Sequence, residues 1–106
     1  MSPNRGNFIT TTPTINNATS TSVLAANPNR AKIKLQNLAA ANIMVSLDGA
    51  TLTGIVPTST NIGFVLTSAG FPHSSWESDA AFCPINSITA YQTSGGAINT
   101  LVVGEG

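Results

Sequence analysis

The residues able to move a proton, attack a carbon or hold a metal are few: one histidine, His73, one cysteine, Cys83, and the carboxylates Asp48, Glu77, Asp79 and Glu105. A thiol and an imidazole at this separation could pair as nucleophile and base. His73 follows Phe71-Pro72 and Cys83 precedes Pro84, so both fall at loop or strand-edge positions, and no helix N-terminus is evident to lower the thiol pKa. An inert, buried cysteine is the expectation. The densest group of potential ligands is His73, Glu77 and Asp79, with Ser74 or Ser75 beside it. On a strand Glu77 and Asp79 share a face, and a cation with oxygen ligands could bridge them. The spacing matches no zinc or calcium loop, so a solvated polar loop around Trp76 is expected, with no metal and no cofactor. Gly95-Gly96 lacks a following lysine or helix and is no phosphate loop. The scattered carboxylates do not suggest a glycosidase pair. No enzyme is expected.

Two binding chemistries deserve weighing. Trp76, Tyr91 and Phe71 could stack on sugar rings as in a small carbohydrate-binding module, although large aromatics in a small domain more often fill its core. Arg30, Lys32 and Lys34 follow one another at period two, which on a strand projects all three from one face as a short basic ridge. Such a ridge is either the solvated face of an outer strand or a contact for an acidic partner surface, where its charges would set orientation. Three positives without interleaved aromatics make a poor nucleic-acid groove.

The elements that must hold these residues are strands. Ala31, Ile33 and Leu35 alternate with Lys32, Lys34 and Gln36, and Ile43, Val45 and Leu47 alternate with Met44, Ser46 and Asp48, the mark of half-buried strands. The stretch Asn37 to Asn42 between them is short enough for a hairpin loop, and Asp48-Gly49 suits a turn with positive φ. Further strands are expected at about 61–68, 74–77, 85–91 and 98–103, with another closing at Val23-Leu24 before the tight turn Asn27-Pro28-Asn29. Helical spacing is sustained nowhere. The fold class expected is all-β: a β-sandwich or jelly-roll-like small barrel with an extended N-terminal arm. The arm, residues 1–18, mixes Asn, Thr, Ser and Pro and buries too little to order itself. Residues 19–106 make the β-sandwich domain. Phe8, Ile9 and Ile15 are the arm's candidate anchors, on a neighbouring chain or as an edge strand of its own domain.

Composition narrows the function. Only 8 of 106 residues are charged, with zero net charge, against roughly 25% in an ordinary soluble domain. Ser, Thr and Asn supply the polar surface. Zero net charge argues against nucleic acid as partner, no apolar run approaches the roughly 20 residues that span a bilayer, and no secretory leader is visible at the start. One cysteine cannot form an internal disulfide, which suits a protein of the cytoplasm or of an assembly. With 6% aromatic residues the core is thin, and self-association would bury what the single chain cannot.

The run Val23-Leu24-Ala25-Ala26-Asn27-Pro28-Asn29-Arg30, followed by Ile33, Leu35-Gln36-Asn37 and Ile43-Met44-Val45-Ser46-Leu47, resembles small virion structural proteins of tailed bacteriophages, and most of all head decoration (cement) proteins. The resemblance covers residues 19–50 well and the ending Val102-Val103-Gly104-Glu105-Gly106 loosely. It implies a structural role with no catalytic residue. The partners it implies are the major capsid protein and copies of the chain itself, as a homotrimer on the capsid surface of the virion, with no nucleic acid and no membrane. Under that reading the capsid-contacting residues are Arg5, Phe8, Ile9, Ile15, Arg30, Lys32 and Lys34. A tail, fibre or connector component and the carbohydrate-binding module are the alternatives.

Overall fold

The computed structural model describes residues 9–55, 63–78 and 83–106. They contain eight short strands: β1 (Ile9–Thr11), β2 (Thr21–Leu24), β3 (Ile33–Asn37), β4 (Ile43–Ser46), β5 (Phe64–Leu66), β6 (Ser75–Glu77), β7 (Ile88–Tyr91) and β8 (Leu101–Glu105). Each strand expected from alternation overlaps one of β2 to β8; Asn61 and Ile62, at the start of the stretch expected over 61–68, lie outside the described residues. The strands form two four-stranded antiparallel sheets, β1-β8-β3-β6 (sheet 1) and β2-β7-β4-β5 (sheet 2). This is a β-sandwich; the sheets do not close into a barrel.

Pairing is nested. β1 pairs with β8, β2 with β7, β3 with β6 and β4 with β5, like a ribbon bent at the β4–β5 connection. Rolling that ribbon brings β3 onto β8 and β4 onto β7. Only the β4–β5 connection stays within one sheet; every other one crosses between sheets. This corrects the expected β3–β4 hairpin, because residues 37–42 carry the chain from sheet 1 to sheet 2. The cause is Asn37, whose side chain is fully buried. Its Nδ2 donates to the carbonyls of Ala41, Leu66 and Thr67, and its Oδ1 accepts from the Ala39 amide. Those bonds fix an arch that delivers β4 beside β5 rather than beside β3.

Period-two alternation explains the core. Ile33, Leu35, Leu101 and Val103 point inward from sheet 1 and meet Val23, Ile43, Val45, Leu66, Ile88 and Ala90 of sheet 2. The outer face of sheet 2 is covered as well, so that β4 and β7 are buried at every position. Met44 and Tyr91 pack there with Leu52 and, at the margin, Ile55 and Val65. The covering segment is pinned by Leu52 N donating to Ser20 Oγ and Thr89 Oγ1 donating to Ala50 O. Gly49 turns it with φ 78°, as the Asp-Gly pair suggested. Gly63 enters β5 with its α-carbon so close to the Val45 carbonyl that no side chain fits.

The stretch expected as an arm divides. Residues 1–8 lie outside the described residues. Ile9–Thr11 form β1 on β8, and Ile15 is fully buried in the core, exchanging backbone hydrogen bonds with Ile98 at 2.8 and 3.0 Å.

Candidate partner-binding surface

The strands run so that one end of the sandwich gathers Ile9, Arg30, Ile33, Glu77 and Glu105, and the other gathers the loops 37–42, 67–74 and 92–100. The first end is organised by Arg30. The turn Asn27-Pro28-Asn29 is closed by Asn29 N donating to Asn27 Oδ1, and it leaves Arg30 pointing into the fold with 4% of its surface exposed. Arg30 Nε donates to Glu105 Oε2 at 2.8 Å, Nη1 to the carbonyls of Pro84 and Asn86, and Nη2 to the carbonyl of Ala25. Asn27 Nδ2 reaches the same carboxylate oxygen at 3.4 Å. Beside this knot the Gly106 carbonyl accepts from Ala31 N and Lys32 N. One planar fork with fixed donors thus ties the exit of β2, the entry to β7 and the end of β8.

The expectation that Arg30, Lys32 and Lys34 share one exposed face is therefore corrected. Regular alternation begins only at Ile33, where β3 begins, and Arg30 belongs to the preceding turn, where period two does not apply. Nothing in the local sequence points it inward; its partner Glu105 is 75 residues away. Lys32 and Lys34 do lie on the outer face of sheet 1. Lys32 Nζ stands 2.6 Å from Glu77 Oε1, both half exposed, and Lys34 lies directly across from Glu77 in the β3–β6 register. The hydrogen bond and charge of Lys32, with a lesser contribution from Lys34, hold the Glu77 carboxyl below the usual carboxylate range. Lys34 also lines a shallow recess of about 200 Å³ with Thr10, Gln36, Val102 and Gly104.

Of the other expected contact residues, Arg5 and Phe8 lie outside the described residues. Ile9 is 51% exposed on the edge strand of sheet 1. Ile15 is buried and unavailable to a partner; besides its bonds to Ile98, its carbonyl accepts from Gln92 Nε2.

The residues weighed for chemistry are dispersed. His73 is exposed with φ 67° at the loop end, while Cys83 is half-buried at the Arg30 end, next to Pro84, so thiol and imidazole are not paired. Among the described residues no three of His, Cys, Asp and Glu come together; Asp79 lies outside them. Trp76 faces inward with Leu35 and packs on Phe64, ring centroids 5.6 Å apart, and Tyr91 is buried beneath the segment that covers sheet 2. Tyr91 offers no face to a sugar, whereas Trp76 is only partly buried. Asp48, just past β4, accepts from the Ser46 hydroxyl and the Ala50 amide, and these bonds hold its carboxyl below its ordinary value.

No protein-family model, no curated protein and no solved structure matches this chain.

Proposed function

We propose that the chain is a head decoration protein of a tailed bacteriophage, acting as a homotrimer that binds the outer surface of the capsid and braces contacts between major capsid protein subunits. The observation that carries this reading is the strand order. Nested pairing of eight strands into β1-β8-β3-β6 and β2-β7-β4-β5 is the order of a rolled double Greek key. We take the sandwich to be a jelly roll, an architecture shared by viral capsid and lectin domains. Of the two, the buried Tyr91 and the partly buried Trp76, packed inward on Phe64, favour the virion over the sugar.

In this reading the capsid contact is made by the outer face of sheet 1 and by residues 1–8, which precede β1 at its edge. Lys32 and Lys34 meet acidic groups and set orientation; Arg30 supports the surface from within. Repetition of weak contacts across an oligomer gives the avidity that one copy lacks. The test is to co-express the chain with a tailed-bacteriophage major capsid protein and sediment the assembled shells. The chain should travel with shells at a fixed ratio, and removing residues 1–8 should release it while leaving its circular dichroism unchanged. Chain recovered only with tails, fibres or connectors would overturn the reading.

A further inference from the structure

The Arg30 knot holds up one wall of a hollow. Arg30 Nη1 donates to the carbonyls of Pro84 and Asn86, and the Ile85 carbonyl between them accepts from Asn27 N at 2.8 Å. Three successive carbonyls are thereby satisfied within the knot, and the Ile85 side chain is left 48% exposed. A buried guanidinium is a costly way to fix a surface segment, and what it fixes here carries an exposed apolar side chain.

Facing this wall is the end of sheet 2. Leu47 follows β4, Phe64 opens β5 and Cys83 precedes the wall, and each is half-buried with one side packed on the core. Trp76 backs Phe64. Among the described residues these three, with Pro84 and Ile85, give a hollow of about 540 Å³ its apolar lining. Sites for small molecules run from about 300 to 1,000 Å³ and are lined mainly by apolar groups. One charge stands at the edge. Asp48 lines the same hollow, and its Oδ1 accepts from the Ser46 hydroxyl and the Ala50 amide, bonds that favour the ionised carboxylate. Among the described residues no lysine or arginine pairs with it.

We propose that this hollow binds a small amphiphilic cation, an aryl or alkyl group bearing one ammonium, with its apolar part between Ile85 and Phe64 and its ammonium at Asp48. The apolar lining accepts the tail, and the single carboxylate selects the sign of the head. A tail ending in a carboxylate would bring like charges together at Asp48, and an uncharged one would gain the apolar contacts alone. Walls fixed before contact cost little ordering when a ligand enters. The site stands apart from the outer face of sheet 1, where the capsid contact is proposed, and needs neither a capsid nor a second copy of the chain.

The test uses three probes with one tail: phenylbutylammonium, phenylbutanol and phenylbutanoate. Each is titrated into the isolated chain and followed by amide NMR shifts and by the rate at which iodoacetamide alkylates Cys83. Phenylbutylammonium should move the amides of Leu47, Phe64 and Ile85 and slow the alkylation. It should bind about threefold to fivefold tighter than phenylbutanol, the strength of a solvent-exposed ion pair, and phenylbutanoate should bind weakest. Asp48→Asn should bring the ammonium and the alcohol to one affinity while circular dichroism stays unchanged. Ile85→Ser, at an exposed side chain, should weaken all three probes together. Phenylbutanoate binding as well as the ammonium, shifts centred away from the hollow, an ammonium preference that survives Asp48→Asn, or no binding by any probe would overturn the inference. The three probes on the wild type decide between these outcomes even if Asp48→Asn fails to fold.

Discussion

The two ends of the sandwich are closed by different chemistry. At one, the Arg30 guanidinium answers the Glu105 carboxylate and three carbonyls from two other segments. At the other, two fully buried neutral amides do the same work. Asn37 ties its arch to the β5 exit, and Gln92 donates to Ile15 O and Gly96 O while accepting from Ser94 N. A buried ion carries a large desolvation cost and is tolerated only with its partners in place. A buried amide costs less and fails more gently. The difference teaches where each device is useful. The charged fork gathers remote segments at the end where the chain's described extremities meet, and the amides shape the loops at the other end without a buried ion.

Arg30→Ala is the sharpest way to break this comparison. It leaves Glu105 partly buried without its cation, and should cost about 3–5 kcal/mol in urea unfolding; Arg30→Lys should recover only part, since a point charge cannot serve the carboxylate and all three carbonyls. Asn37→Ala should cost less, about 1–3 kcal/mol for the buried groups it strands, with hydrogen exchange quickening first at Ala39. Equal losses for the two variants would mean that the ends do not differ in kind. Gln92→Ala should cost less again, because the Ile15–Ile98 backbone pair persists; a thermal melt would show it. Acid should act on the charged end. Glu77 and Asp48 titrate below their ordinary values of 4.5 and 3.8, so their contribution is present above those values and is lost as pH falls through the lower folded ones. Both are exposed, so the loss is small, and amide exchange near β6 and Ala50 should report it. Smallest of all, Lys32→Ala should leave the urea midpoint where it was and remove most of the Glu77 shift by NMR titration.

Much of the fold was legible because burial on one face leaves a period of two. Ile33, Leu35 and Lys34 alternate as half-buried strand residues should, and β6 falls within one residue of the stretch expected around Trp76. Pairing was not legible, because alternation says which face is buried and nothing about which sheet a strand joins. Asn37 decides that through contacts to Leu66 and Thr67, far along the chain. β4 and β7 hide residues on both faces, so the polar-looking Ser46 and Thr89 gave no sign that a second apolar cluster lay outside sheet 2. Of the candidate contact residues, Lys32 and Lys34 stand where alternation placed them. Arg30 does not, since its burial depends on Glu105, and Ile15 is core because Ile98 and Gln92 hold it.

Nested pairing also sets an order of events. Among the described strands only β4 and β5 are neighbours both in sequence and in space, so of these pairs theirs can close earliest; β3 with β6, β2 with β7 and β1 with β8 each enclose the pairs before them. Loops that close over ever longer spans make folding slow compared with helical bundles. The Arg30–Glu105 bond, spanning 75 residues, belongs with the latest of these contacts, so substitutions there should speed unfolding far more than they slow folding.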